Sequence, residues 1–360
     1  MISLKTIGWN SYFYNQFNEY KESGLIPGRI SVEHKERYHV LTEHGELSAE
    51  VSGRLLYASE NPSDFPKTGD WVAGIYFPDE QKLIIQFVLK RQTIFSRNAA
   101  GKKSFEQVIA ANIDYLFILQ SMDNDFSLRR LERYISTALE GNIKPVIVLT
   151  KTDKCSQPAL IMERAQEVSG SIPVLGISSI NKTGMDSLAE YLKAGVTAAL
   201  VGSSGVGKST LVNALIGEDV QKTLEVREYD SKGRHTTTSR EMFILPGGGI
   251  LIDTPGMREF QLWSSGDGVE MAFDEIGELA KQCKFSDCTH TCEKGCAVLE
   301  AVKNGDIPDD RYRSYLKLQK EISYLDKKDD IDYQLEEKRK WKNIHKGIRR
   351  YYKTIEKRKD

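Results

Sequence analysis

The spacing of hydrophobic residues changes along the chain, and its first part predicts β-structure. Between residues 25 and 95, short apolar stretches alternate with turns rich in glycine and proline, which indicates about five strands in roughly seventy residues. A small barrel suits so many short strands, and an OB-type β-barrel is the fold we expect. Such barrels often bind RNA through one face, and a purely structural β-module is the alternative. Residues 96–111 are predicted to be a connector.

From residue 113 the pattern predicts strands and helices in alternation. Two almost wholly apolar strands, 113–120 and 145–149, enclose a helix at 128–139 in which apolar residues recur every three or four positions. Strands that are apolar on both faces belong to a parallel sheet with helices on each side. This part of the chain is therefore predicted to be an α/β domain.

A glycine-rich loop follows the apolar strand at 196–201 and leads into a helical pattern. Its spacing, Gly-x-x-x-x-Gly-Lys-Ser, fits the phosphate-binding P-loop, in which successive backbone N–H groups and the helix N-terminus face phosphate oxygens. We expect Lys208 to contact the β- and γ-phosphates and Ser209 to bind Mg²⁺. The predicted phosphate-binding residues are Gly202, Ser203, Ser204, Gly205, Val206, Gly207, Lys208, Ser209 and Thr210.

A second motif predicts that the base of the nucleotide is guanine. The strand at 145–149 ends in Thr150, Lys151, Thr152 and Asp153. The Asp153 carboxylate can accept from both N1–H and the 2-amino group of guanine, and the Lys151 stem can lie along the base plane. After the next strand, Ser178 and Ser179 would bring a backbone N–H to guanine O6, unless they only cap a helix. The expected ligands are GTP and GDP.

Two further segments are predicted to sense the γ-phosphate. Asp253, at the end of an apolar strand, would hold Mg²⁺, and the N–H of Gly256 would contact the γ-phosphate. Among the threonines at 236–238 we favour Thr237 as a second Mg²⁺ ligand. Met257 follows Gly256, where many GTPases have a water-orienting Gln, so slow intrinsic hydrolysis is expected. His235 is the internal candidate for that role, and a solvent-facing or RNA-contacting histidine is the alternative.

The order of these motifs predicts a circular permutation. Most GTPases carry the P-loop first and the base-reading motif last, whereas here residues 150–153 and 178–179 precede Gly202. The same sheet forms if the usual ends are joined near residues 193–196 and new ends are made elsewhere. As a consequence, the segment after Gly256 runs straight into the C-terminal region, so the γ-phosphate would act directly on that region.

The C-terminal region contains a cluster of metal-binding residues. Four of the five cysteines lie at 283, 288, 292 and 296, with a histidine at 290. In a cytosolic chain this clustering favours a metal site over disulfides, and four soft ligands suit tetrahedral, structural Zn²⁺. Cys283, Cys288, His290 and Cys296 are our choice, and Cys292 is a rival that spacing hardly separates from Cys296. The chain lacks the motif of zinc deaminases.

Charge is distributed unevenly along a chain of ordinary soluble composition. The net charge is −1, but residues 338–359 carry +10, so the remainder carries −11. Aromatic residues interleaved with lysine and arginine in a helical pattern suit an RNA backbone, and a solvated amphipathic helix docked on its own protein is the alternative. No membrane span or signal peptide is predicted. We expect a cytoplasmic monomer without membrane contact.

Three functions fit these motifs. The first is a GTPase whose hydrolysis a partner activates, and the second is an RNA-binding module for which GTP is only a switch ligand. The third is a P-loop kinase or ATPase, which the base-reading residues 150–153 oppose.

Together the motifs resemble the RsgA/YjeQ family of small ribosomal subunit biogenesis GTPases. The resemblance covers about residues 25–310 and is carried by Thr150–Asp153, Gly202–Thr210, Gly233–Thr238 and Asp253–Gly256. It implies an OB-type barrel at 1–100, a permuted GTPase domain at 101–265, and a helical zinc-binding domain with a basic tail at 266–360. It also implies that the fourth zinc ligand is Cys296 rather than Cys292.

The resemblance also implies an activity and partners. Family members bind the small ribosomal subunit and its rRNA late in assembly, and they hydrolyse GTP when the ribosome stimulates them. A hydrophobic residue after Gly256 is a family trait. Thr150 stands where Asn is commoner, and it keeps a hydrogen-bonding side chain.

Overall fold

The computed structural model describes residues 2–34, 37–98, 106–123, 125–217, 240–254 and 267–324. These residues form an N-terminal barrel, a central α/β domain and a C-terminal helical module. The architecture predicted from the sequence is confirmed in all three parts.

Five strands close the N-terminal barrel in the order β1-β2-β3-β5-β4-β1, with β3 and β5 parallel. A short helix, α2 (Gly53–Ala58), joins β3 to β4. The barrel strands are β1 (Ile26–His34), β2 (Arg37–Thr42), β3 (Gly45–Val51), β4 (Trp71–Phe77) and β5 (Lys82–Val88). Alternate residues of these strands point inward and form a core of aliphatic side chains around Ile30, Val40 and Leu83.

The N-terminal segment covers the outer face of β4. Helix α1 (Ser11–Phe17) buries Phe13 and Phe17 near Trp71, and Trp9 meets the Trp71 ring at a centroid distance of 4.6 Å. Next to them the guanidinium of Arg29 is fully buried. It donates to the carbonyls of Ile7 at 2.6 Å, Asn112 at 2.8 Å and Gly69 at 3.2 Å.

Arg29 therefore joins the N-terminal segment, the barrel and the entry to the α/β domain. Burial lowers its pKa to about 10, although Asp114 and Asp70 act in the opposite direction. The guanidinium stays charged at neutral pH, and backbone carbonyls replace the water that would otherwise solvate it.

The sequence predicted only a connector at 96–111, and this is wrong because the segment contributes to two strands. Strand β6 (Ile94–Asn98) pairs antiparallel with β7 (Glu106–Ala111) in a separate two-stranded sheet. The second strand has the apolar residues Val108 to Ala111, all buried. Because this strand begins with polar residues, its hydrophobic pattern was too short to predict a strand.

The α/β domain contains six strands in the order β10-β9-β8-β11-β13-β12. All pairs are parallel except β12–β13. The strands are β8 (Tyr115–Ser121), β9 (Lys144–Thr150), β10 (Val174–Gly176), β11 (Thr197–Gly202), β12 (Glu241–Ile244) and β13 (Ile250–Asp253). The helices are α3 (Leu128–Glu140), α4 (Pro158–Ser169), α5 (Met185–Ala189) and α6 (Lys208–Ile216). Apolar clusters lie on both faces of the sheet, as a buried parallel sheet requires.

The barrel contacts the α/β domain beside β12. Val32 of β1 pairs with Glu241 of β12. Arg240, the preceding residue, donates to the carbonyl of Val108 at 3.3 Å, and its own carbonyl accepts from Thr68 Oγ1 at 3.2 Å. The start of β12 is therefore held by hydrogen bonds to the barrel and to β7.

The C-terminal module packs on α3. It contains α7 (Asp267–Ala272), α8 (Asp274–Ala280), α9 (Ala297–Asn304) and a helix over 309–324, here α10. Arg311 of α10 ion-pairs with the buried Glu132 of α3 at 3.1 Å and with Glu275 of α8, and its guanidinium lies 4.5 Å from the Phe273 ring centroid. Ser314 also donates to Glu132. No described helix has the length and apolarity needed to cross a membrane.

Candidate functional site

The predicted nucleotide-binding residues come together at the carboxyl edge of the parallel sheet. Strand β11 lies between β8 and β13, with Leu200 opposite both Phe117 and Asp253. The loops that leave β8, β9, β11 and β13 therefore emerge side by side, which is where open α/β sheets bind ligands.

The P-loop follows β11 and leads into α6. Gly202 has a φ of 157°, and a Cβ there would lie 2.6 Å from the carbonyl of Leu119, so only glycine fits. Gly207 precedes the first turn of α6 with a φ of 100°. Ser204, Gly205, Ser209 and Thr210 are exposed, and Ser203 is half-buried. This curled backbone and free helix end are suited to phosphate.

Lys208 and Asp253 influence each other electrostatically at the predicted phosphate end of the site. Lys208 Nζ donates to the carbonyls of Gly202 at 2.7 Å and Ser203 at 3.0 Å. Burial lowers the pKa of Lys208, and Asp253 partly offsets this. Burial likewise raises the pKa of Asp253, with Lys208 acting against it.

Asp253 fits the role of a magnesium ligand. Its Oδ1 is buried and has no hydrogen-bond partner among the residues that the structure describes. A buried carboxylate oxygen without a donor is costly, and a hard divalent cation is the partner that removes this cost. Thr254, the next residue, donates its hydroxyl to the carbonyl of Leu200 and so fixes the chain just after Asp253.

Thr150 joins the base-reading motif to the P-loop. Its side chain is buried, and Oγ1 donates to the carbonyl of Val206 at 2.6 Å. Because Val206 lies inside the P-loop, this bond fixes the distance between the two motifs. Thr152 follows in a short 3₁₀ turn, and its N–H donates to the carbonyl of Ile177 at 3.3 Å.

Ser178 orients the carboxylate that would read guanine. Its buried hydroxyl donates to Asp153 Oδ1 at 2.6 Å and accepts from the N–H of Asn181 at 3.2 Å. The hydrogen bond from Ser178 lowers the pKa of Asp153, which keeps this carboxylate charged. The backbone role toward guanine O6 that the sequence suggests for Ser178 and Ser179 stays a prediction, and the contact of the Ser178 side chain with Asp153 was not predicted. Ser179 lies next to it, half-buried.

Two acidic residues at this edge were missed by sequence reasoning. Asp123 accepts from Lys151 Nζ at 2.9 Å, and Asp125 accepts from Ser203 Oγ at 2.5 Å. Both follow β8 directly, and a polar pair after a buried parallel strand is the signal that could have identified them. His235, Thr237 and Gly256, together with Met257, lie outside the described residues.

The predicted zinc ligands form a compact cluster in the C-terminal module. The ligand atoms of Cys283, Cys288, His290 and Cys296 all lie within 4.8 Å of one another. Cys283 Sγ is 3.8 Å from Cys296 Sγ and 3.5 Å from His290 Nδ1. Bonds of about 2.3 Å to sulfur and about 2.1 Å to nitrogen in a tetrahedron span such separations. Cys292 is exposed and outside the cluster. The donor set therefore fits zinc.

The loops around the cluster are held by hydrogen bonds from outside it. Glu293 accepts from the backbone N–H groups of Thr289, Thr291 and Cys292. Tyr312 of α10 donates to the carbonyl of His290 at 2.6 Å. The cluster is thereby tied to the helix that contacts the α/β domain.

Comparison with protein families places the site in context. A family model described as RsgA GTPase matches residues 88–263. A second model, described as ABC transporter, matches residues 185–357. The two ranges share the P-loop strand and helix, a motif that nucleotide-binding families of many kinds contain.

Curated relatives match nearly the whole chain. It is 46% identical to the small ribosomal subunit biogenesis GTPase RsgA of Methanosarcina acetivorans over 96% of this chain and 92% of that protein. It is 47% identical to the small ribosomal subunit biogenesis GTPase RsgA 2 of Lactiplantibacillus plantarum, over 84% and 85% of the two chains.

Solved structures show the same architecture. YjeQ from Thermotoga maritima aligns with a TM-score of 0.60 at 27% identity, over 83% of this chain and 98% of that one. YloQ, described as a circularly permuted GTPase, aligns with a TM-score of 0.58 at 24% identity, over 83% and 95% of the two chains. The second likeness supports the fold alone.

Proposed function

The chain belongs to the RsgA family of GTPases, and we propose that it hydrolyses GTP on the small ribosomal subunit during late maturation of that subunit. The observation that carries the proposal is the hydrogen bond from Thr150 to Val206. It joins the predicted guanine-reading motif to the P-loop, which supports one nucleotide contacting both, and the relatives' names supply the ribosomal subunit as the partner.

Each residue of the pocket has a role in this proposal. Asp153, oriented by Ser178, accepts from the guanine base, and the Lys151 stem lies along the base plane. The P-loop N–H groups and Lys208 bind the phosphates. Ser209, Asp253 and Thr237 would hold Mg²⁺, which neutralises charge on the transferred phosphoryl group.

Hydrolysis is proposed to depend on a partner. Met257 stands where many GTPases have a Gln, and its side chain cannot orient water. His235 is the internal candidate for this task, and the N–H of Gly256 is the proposed contact to the γ-phosphate. A surface of the ribosomal subunit would complete the site.

The flanking modules are proposed to contact RNA and to hold zinc. The barrel and the basic residues 338–359 supply a face and a charge that suit rRNA. One zinc ion, bound by Cys283, Cys288, His290 and Cys296, would be structural because four protein ligands leave no open position. Work on ribosomal subunits implies the cytoplasm, and the chain is proposed to act as a monomer, without a membrane.

GTP turnover with and without purified small ribosomal subunits tests the proposal. We expect slow turnover alone and a rise of at least about tenfold with subunits, while the Lys208→Ala variant stays inactive in both conditions. Binding to subunits without faster turnover would instead indicate an assembly module that uses GTP as a switch ligand. ATP competing as well as GTP would indicate a different P-loop enzyme.

A further inference from the structure

The loop between β8 and α3 carries charges that the proposed mechanism does not use. We propose that two aspartates of this loop position both halves of the nucleotide site: Asp125 holds the P-loop through Ser203, and Asp123 holds the predicted base-reading motif through Lys151. The inference rests on the proposed function, because it assigns these residues roles toward a guanine nucleotide in this pocket.

The contact of Asp125 acts on the P-loop. Asp125 Oδ2 accepts from Ser203 Oγ at 2.5 Å, while Arg130 of α3 ion-pairs with Oδ1 at 3.1 Å and also donates to the Asp125 carbonyl. Arg130 of α3 thus holds the Asp125 carboxylate in place, and the hydrogen bond from Ser203 in turn restrains the start of the P-loop. A P-loop binds phosphate by the directions of its backbone N–H groups, so a restraint on its second residue bears on affinity.

The contact of Asp123 acts on the base-reading motif. Asp123 Oδ2 accepts from Lys151 Nζ at 2.9 Å, and Oδ1 accepts from Ser121 Oγ at 2.7 Å and from the N–H of Asp125 at 3.0 Å. Lys151 has a φ of 59°, an uncommon conformation for a lysine. A fixed ammonium group limits the side chain to the orientation in which its stem can cover the base.

The charge of Asp123 is maintained across the physiological range. Burial alone would raise its pKa, but the hydrogen bonds from Ser121, Asp125 and Lys151 lower it to about 2. The Asp123–Lys151 pair is partly exposed, with 42% and 30% of the side chains accessible, and such pairs add little to fold stability. We therefore expect its effect in nucleotide affinity rather than in thermal stability.

The test for Asp123 uses the Asp123→Asn variant, which keeps an acceptor for Ser121 and removes the charge. We expect GDP to bind about fivefold more weakly, with an unchanged melting temperature. The binding of IDP should weaken by the same factor as that of GDP. IDP lacks only the 2-amino group, whose proposed contact is Asp153 and not Lys151. In the Lys151→Ala background the substitution should have no further effect, whereas a purely structural role would make the two losses add.

The test for Asp125 compares the Asp125→Ala and Asp125→Asn variants. Alanine removes the acceptor for Ser203 and should weaken GDP binding about fivefold, while asparagine keeps an acceptor and should restore most of it. Guanosine, which lacks phosphates, should bind both variants like the wild type. In the Ser203→Ala background, Asp125→Ala should not lower GDP affinity any further.

A matched control separates the inference from general effects of charge. Glu278→Gln removes a surface carboxylate that pairs with Lys281 at 2.6 Å in the C-terminal module, and GDP affinity should not change. If the wild type binds GDP no better than ADP, the proposed function fails. If the wild type prefers GDP but both loop variants bind GDP as tightly as the wild type, the inference fails while the proposed function stands. The same holds if their losses of GDP affinity add to those of Lys151→Ala and Ser203→Ala.

Discussion

At the scale of single residues, the Thr150 hydroxyl connects the predicted base-reading motif to the P-loop. It is buried at the end of β9 and donates to Val206 inside the P-loop. Thr150→Val keeps the shape of the side chain but leaves that carbonyl without its donor. We expect GDP affinity to fall about tenfold, which corresponds to about 1.4 kcal/mol.

Isothermal titration with GDP measures this loss. Thr150→Asn, which carries the commoner residue of the family, should restore affinity because its amide can donate to the same carbonyl. Equal affinity of the Val variant and the wild type would contradict a role for the Thr150 hydroxyl.

The burial of Asp253 predicts that the stability of the folded chain depends on pH. Burial raises its pKa in the folded chain, so its contribution to stability is fully present below the unfolded pKa and is lost as the pH rises through the folded pKa. At neutral pH the Asp253 carboxylate therefore costs stability in the absence of a cation. Asp253→Asn removes this cost, so the nucleotide-free variant should melt at or above the wild-type temperature at about pH 7.

Melting temperatures from about pH 4.5 to about pH 8 test this, since the advantage of the variant should shrink as the pH falls. The same variant should lose the dependence of GDP affinity on Mg²⁺. A variant that is less stable than the wild type at neutral pH and equally dependent on Mg²⁺ would contradict the assignment.

The residue scale is also where sequence reasoning was strongest and weakest. Motif spacing predicted the P-loop and the residues at 150–153, because backbone N–H groups and base edges demand particular residue types. The contacts of Asp123 and Asp125 were not predictable in this way. They depend on which loops the sheet brings together, and a pair of aspartates after a strand has no distinctive spacing.

At the scale of elements, the zinc cluster is the feature whose integrity is simplest to test. Cys288→Ser removes a ligand, and we expect loss of bound zinc and a lower melting temperature, because structural zinc contributes directly to folding. Cys292→Ser is the matched control, since Cys292 is exposed and outside the cluster. Zinc content per chain, measured by mass spectrometry, distinguishes the two variants. Zinc retained by the Cys288→Ser variant and lost from the Cys292→Ser variant would reverse the ligand assignment.

Elements with a strong hydrophobic period were predicted well. The helix expected at 128–139 is Leu128–Glu140, and the strand expected at 145–149 is Lys144–Thr150. Strand β7 was missed because its first residues are polar. It is also stabilised by pairing with β6, and this pairing cannot be read from the sequence alone. A short strand of this kind is defined by tertiary contacts rather than by its own pattern.

At the scale of the whole molecule, Glu132 and Arg311 join the α/β domain to the C-terminal module. Their side chains are only 3% and 12% exposed, and burial raises the pKa of Glu132 despite Ser314 and Arg311. Arg311→Met leaves this carboxylate without its cation, so we expect a loss of about 3 kcal/mol in the free energy of unfolding.

Chemical denaturation at neutral pH measures this loss. Arg313→Met is the control on the same helix, because Arg313 pairs with Asp309 at the surface and should change stability by less than about 0.5 kcal/mol. Adding Glu132→Gln to the Arg311 variant should recover part of the stability. Equal losses from the Arg311 and Arg313 variants would contradict the role of the buried pair.

The buried guanidinium of Arg29 has a consequence for how the chain folds as it is synthesised. Its last carbonyl acceptor, on Asn112, follows it by 83 residues. At a translation rate of about 10 residues per second, that acceptor is made about 8 seconds after the arginine. During this interval water still solvates the guanidinium, so the contact between the N-terminal segment and the outside of the barrel is completed only when the second module has begun to emerge from the ribosome.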